Sequence, residues 1–145
     1  MCAVLHIMTI LKLYNAMSLS CPGLQIGRRR IQVGAILYSP DIKTAFNLVK
    51  NPTKPKLLND LWNMPYLSGT TNTAGGLRRM KKMFDDFGRP GVAHIAVLIT
   101  DGQSNIDVER TVPDAAAAKA AGIDLYVVGK GGRCSLQQLI TIILF

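Results

Sequence analysis

Two continuous apolar runs separated by one helical stretch constrain this chain more than any other feature. HIAVLIT (94–100) and IDLYVVG (123–129) are rich in β-branched and aliphatic residues and show little polar alternation. A strand that reads apolar on both faces is covered on both faces, as in a parallel sheet. Between the runs, Pro113 opens an alanine-rich helix through Ala115 to Ala121, and Gly122 closes it as a C-cap. Strand, helix, strand over this length reads as a parallel crossover, and such crossovers are right-handed.

The preceding residues extend the pattern. IQVGAILYS (31–39) reads as another buried strand, and KTAFNLV follows after the short Ser39-Pro40-Asp41 connection. So short a link joins antiparallel neighbours. Pro55 sits in the first turn of a helix that places Leu57, Leu58, Leu61 and Trp62 in the core. After the polar loop LSGTTNT, Thr73 caps an amphipathic helix whose stripe is Leu77, Met80, Phe84 and Phe87. Ser135 caps a last helix, SLQQLITIIL. The expected architecture is an open, Rossmann-like, doubly wound α/β sheet, mostly parallel with one antiparallel edge strand.

Composition sets the outer bounds. The 145 residues suit one domain, and 48% hydrophobic against 18% charged residues leaves too much apolar material for a disordered chain. Cys2, Cys21 and Cys134 are too few and too scattered for a disulfide scaffold or a zinc site. The apolar opening MCAVLHIMTI lacks a basic n-region and Lys12 interrupts it, so neither a signal peptide nor a membrane span is evident. A net charge of +8 favours polyanionic partners.

The chemistry lies at the strand ends. In an open α/β sheet, ligands bind beyond the carboxyl ends of the strands, where Asp101 directly follows Ile99-Thr100. The loop Gly69-Thr70-Thr71-Asn72-Thr73, with Ser104 and Asp107, adds oxygens of the kind that Mg²⁺ and Ca²⁺ favour. The plainer alternative is that Asp101 and Thr71 only turn and cap the backbone. Gly75-Gly76 stands near a helix start, where a phosphate could sit, but no GxGxxG fingerprint accompanies it.

At these residues the chain resembles the von Willebrand factor type A domains. The matching segments are VGAILYS (33–39), FNL (46–48), MPYLSGTTNT (64–73), LRRMKKMF (77–84), GRPGVAHIAVLITDGQS (88–104) and AAGIDLYVVGKG (120–131). The loops look most like the matrix members, matrilins and non-fibrillar collagens. The resemblance implies a metal-ion-dependent adhesion site on the upper rim, with Thr71 as a metal ligand and Asp101 reaching the metal through water. Ser68, Gly69, Asn72, Gly102 and Ser104 would shape the rim.

One departure goes with the match. The family's site begins with Asp-x-Ser-x-Ser at the end of the central first strand, and the chain has no such motif. Ala16-Met17-Ser18-Leu19-Ser20 has the serine spacing without the carboxylate. Residues 1–25 are therefore expected to be a divergent N-terminal segment carrying part of the first helix, and 26–145 a truncated domain. Its central strand is missing or replaced, with MCAVLHIMTI as one candidate for the gap. A divalent cation, Mg²⁺ or Ca²⁺, would bind weakly or not at all.

The resulting expectation is an extracellular matrix or adhesion module that is not an enzyme and binds a matrix protein such as collagen. The alternatives are a metal-assisted hydrolase or phosphoryl-transfer enzyme using Asp101, and a fragment without autonomous function. The runs Arg28, Arg29, Arg30 and Arg78, Arg79, Lys81, Lys82 form either a glycosaminoglycan patch or solvated faces. No nucleic-acid-binding signature accompanies them. His6 and His94 read as packed or edge residues, and Cys21 and Cys134 lack a neighbouring His to activate them.

Overall fold

The computed structural model describes residues 25–65, 69–100, 104–129 and 140–144. Five strands form one sheet: β1 (Val33–Tyr38), β2 (Ile42–Phe46), β3 (His94–Thr100), β4 (Ile123–Gly129) and β5 (Ile140–Leu144), in the order β2-β1-β5-β3-β4. Among the described residues, three helices accompany them: α1 (Lys54–Trp62), α2 (Thr73–Phe87) and α3 (Val108–Ala120). The α/β class, the antiparallel edge strand β2 and the parallel β3–β4 crossover agree with the sequence reading.

The centre of the sheet carries the main departure. β5 lies where a helix from Ser135 was expected, and it fills the gap between β1 and β3 that MCAVLHIMTI was a candidate to occupy. It pairs antiparallel with both neighbours, from Val33↔Leu144 to Leu37↔Ile140 on one side and from Ile95↔Leu144 to Ile99↔Ile140 on the other. Among these pairings, only β3 with β4 is parallel. Two causes favour strand over helix. Ile140, Thr141, Ile142 and Ile143 are all β-branched and lose side-chain freedom in a helix. Two facing ladder edges also offer the segment backbone partners on both sides. Residues 1–24, including Cys2, His6, Cys21 and the Ala16–Ser20 segment, and residues 130–139, including Cys134, lie outside the described residues.

All six residues of β1 are buried, because the strand is covered on both faces. Val33, Ala35 and Leu37 point to one cluster with Phe46 and with Leu57 and Leu61 of α1. Ile36 and Tyr38 point to the other, which includes Leu77, Met80, Met83 and Phe84 of α2, Ala96 and Leu98 of β3 and Ala118 of α3. Helices thus cover both faces, as doubly wound sheets require.

Three local expectations are corrected. Trp62 is 56% exposed: Leu57 and Leu61 share the inward face of α1, and the next residue is turned about 100° away. Phe87 at the end of α2 is also exposed. Pro113 does not open α3, which begins at Val108, so the proline is inside the helix. Gly122 ends it with a positive φ, as expected. His94 is packed, its ring stacked 4.9 Å from Phe84 and its Nε2 3.1 Å from the carbonyl of Arg89.

Candidate functional site

β1 and β3 both run against β5, and β4 runs with β3, so the carboxyl ends of β1, β3 and β4 lie on one rim. Two loops meet there. The first, Gly69–Asn72, leads into α2, and Gly69 holds a φ of +120° beside the ring of Pro40 in the β1–β2 turn. The second, Ser104–Asp107, leads from β3 into α3.

A staple joins them. The Thr71 amide donates to Asn105 Oδ1 at 2.7 Å, while the Thr71 carbonyl accepts from the amides of Asn105 and Ile106 at 3.1 and 3.2 Å. Thr71 is 2% exposed, so these bonds supply partners that water cannot. Ser104 is also buried and donates to the carbonyl of Ile106. Beside the staple, Asn72 rather than Thr73 caps α2, its Oδ1 accepting from the Gly75 amide at 2.8 Å. Asp107 takes a left-handed φ of 49°, and its carboxylate meets Arg78 at 3.2 Å. The same guanidinium holds Asp114 on α3 at 2.8 Å.

The Gly75-Gly76 pair is packing rather than a phosphate cradle. A Cβ on Gly75 would approach Ile42 Cδ1 to 2.2 Å, and one on Gly76 would meet the Tyr38 ring at 3.0 Å. The helix start presses on the sheet, so a side chain at either position would make Ile42, Asn72 or Tyr38 give way.

Of the residues expected at the rim, Gly69, Thr71, Asn72 and Ser104 lie together around the staple. Asp101, Ser68 and Gly102 lie outside the described residues. The basic runs separate. Arg78, Arg79, Lys81 and Lys82 are each engaged on or beside α2: Arg78 with Asp107 and Asp114, Arg79 with Thr44 Oγ1, Lys81 with Asp85 and Lys82 with Asp86. Arg28, Arg29 and Arg30 are exposed at the amino end of β1, the other pole of the sheet.

Sequence reasoning missed Asn105 and the bridging role of Arg78. The signal for Asn105 was slight, one amide residue between Ser104 and Ile106, and only the paired loop geometry gives it a partner. As for a cation, no group of three or more His, Cys, Asp or Glu side chains converges among the described residues. The central strand brings Ile140, not a carboxylate, to the rim. Of the two expected ligands, Thr71 is among the described residues and Asp101 is not.

The family model for the von Willebrand factor type A domain matches residues 9–143. The chain is 36% identical over 110 residues to the collagen alpha-1(XII) chain of Notophthalmus viridescens, an alignment covering 72% of this chain and 11% of that one. It is 29% identical over 115 residues to matrilin-1 of Gallus gallus, covering 75% of this chain and 23% of that one. A similar solved structure is proximal thread matrix protein 1 from the mussel byssus, with zinc occupying its MIDAS motif. Its TM-score is 0.73 at 27% identity, and it covers 86% of this chain and 33% of that one. The chain therefore spans a small part of each relative.

Proposed function

The chain belongs to the von Willebrand factor type A domain family, and from that membership we propose that it is an extracellular, non-enzymatic module that binds a matrix protein such as collagen. The contact surface is the rim formed by the 69–73 and 104–107 loops. The observation that carries this reading is the Thr71–Asn105 staple, which fixes the two loops to each other by protein hydrogen bonds. An adhesive rim needs its loops held before the partner arrives, because ordering them on contact would cost affinity.

Thr71 and Asp101 are the residues by which a divalent cation would touch this rim. In the family's mechanism the metal accepts an acidic side chain from the partner. Because the chain has no Asp-x-Ser-x-Ser motif, the rim in this reading works through its own polar groups, and cation dependence is weak or absent. The matrix relatives support the extracellular setting.

Surface plasmon resonance of the chain over immobilised collagen, with Mg²⁺ and then with EDTA, tests this. The expected result is binding that EDTA changes less than about twofold and that Asn105→Ala weakens at least about fivefold, the effect of a lost hydrogen bond of ~1 kcal/mol. No binding under either condition overturns the reading. Mg²⁺-dependent turnover of a phosphate ester, lost in Asp101→Ala, overturns its non-enzymatic part.

A further inference from the structure

A second cationic surface lies at the pole away from the rim. Strands of six or seven residues put the two poles ~20 Å apart. Ahead of β1, residues 25–31 fold into a tight turn. The Gly27 amide donates to the Ile31 carbonyl at 3.1 Å, the Arg30 amide to Gly27 at 3.0 Å and the Ile31 amide to Gln25 at 3.1 Å. Ile26 and Ile31 anchor the turn against the α1-side core. Ahead of β3, half-buried Arg89 reaches across and donates from Nη1 to the Arg28 carbonyl and from Nη2 to the Arg30 carbonyl.

These bonds tie the backbone of the turn at Gln25, Gly27, Arg28, Arg30 and Ile31, while the side chains of Arg28, Arg29 and Arg30 are exposed. None of the three, nor Arg89, makes an ion pair with a carboxylate among the described residues. The contrast with α2 decides the matter, because there every basic side chain of the run already has an acidic or hydroxyl partner. Three exposed arginines in sequence beside Arg89, without an acidic partner among the described residues, concentrate positive charge that a polyanion can neutralise.

We infer that the Arg28–Arg30 turn, stapled by Arg89, is a binding site for a sulfated polysaccharide, separate from the protein-binding rim. Planar guanidinium forks suit tetrahedral oxyanions better than ammonium groups do. No aromatic residue occurs at 25–31 or 88–93 on which a nucleobase could stack. The choice of a polysaccharide over other polyanions also rests on the extracellular reading of the module. Arg89 is a positioning residue: it shapes the turn and adds charge, and the three exposed arginines make the contact.

Calorimetry of the full chain with a size-defined heparin oligosaccharide, at about physiological salt, tests the site. Arg28→Ala/Arg29→Ala/Arg30→Ala is compared with Arg79→Ala/Lys81→Ala/Lys82→Ala, which removes the same number of charges from α2. The expected result is a loss of at least about tenfold for the turn variant and less than about threefold for the α2 variant, as exposed charge pairs dictate. Equal losses show that only net charge matters and overturn the site, as does a parent chain that does not bind. Should circular dichroism show the triple variant unfolded, Arg29→Glu alone takes its place and is expected to lose at least about fivefold. Arg89→Lys keeps the charge but loses the fork across two carbonyls. An intermediate loss of affinity is expected, and parent-like affinity overturns the positioning role. Single-stranded DNA of matched charge, bound equally well and lost equally in the turn variant, overturns the polysaccharide assignment. Collagen binding by the turn variants, measured separately, keeps failure of this site distinct from failure of the rim.

Discussion

At the scale of the residue, rim and core follow the same accounting of buried polar groups. Asn105 is exposed, yet its side-chain oxygen is a partner of the buried Thr71 amide. Asn105→Ala is therefore expected to cost ~1–3 kcal/mol, the penalty for orphaning a buried donor, read as a lower urea midpoint with an unchanged slope. Asn105→Asp keeps an acceptor in place and should recover most of the loss. Thr111 is the opposite case. Its Oγ1 is buried without a hydrogen-bond partner among the described residues, and the residue is 7% exposed on the α3 face toward the core. Thr111→Val keeps the shape and removes the unpaired hydroxyl. It is expected to leave stability unchanged or raise it by up to ~1 kcal/mol, measured by the same denaturation. Most α2 ion pairs contribute little by comparison, being exposed. Arg78 to Asp114 is an exception, since that carboxylate is largely shielded.

At the scale of the element, legibility tracked how local the cause was. HIAVLIT and IDLYVVG were readable because an unbroken apolar run has few other solutions, and the Ser39-Pro40-Asp41 link was too short for anything but a hairpin. The Leu77, Met80 and Phe84 stripe was equally plain. At the rim, Gly69, Thr71, Asn72 and Ser104 were legible as a polar loop set, but the staple joins residues 34 apart in sequence and leaves no periodic trace. SLQQLITIIL misled because helix and strand compete closely over a short apolar run, and the deciding factor was tertiary: two ladders with an empty place between them. Among the described strands, β5 alone joins the β2–β1 and β3–β4 halves by backbone bonds. Ile142 pairs with Ala35 on one side and Val97 on the other. Ile142→Pro removes a ladder donor at the centre and orphans its acceptor, at a cost of at least ~1–3 kcal/mol. The expected outcome is broadened thermal unfolding by circular dichroism, while Lys43→Pro in the edge strand β2 keeps a sharp transition. Equal melts for the two variants would remove β5 from the centre of the account.

At the scale of the whole molecule, the two borders of the sheet are unlike. β2 presents Lys43 and is tied to α2 through Thr44 and Arg79. β4 borders the other side with Tyr126 and Val128 at 58% and 54% exposed, and its seven residues include one charge, Asp124. A long apolar border strand invites pairing with another chain. Tyr126→Lys is expected to raise the monomer fraction in sedimentation velocity at high protein concentration without lowering the melting temperature, since the side chain is already in solvent. The two functional surfaces proposed here are separated by the length of the strands, so a rim partner and a polyanion can be held at once. The reversed direction of β5 has a mechanical consequence. Val33 and Leu144 are partners at the arginine pole, so the first residue of β1 and the last residue of β5 stand side by side. Tension through those two points loads the five rungs of the β1–β5 ladder one after another, as a zip is pulled, whereas a central strand of the opposite sense would share the load across all of them in shear. A sheet pulled at those two residues yields early and gradually, from the pole inward.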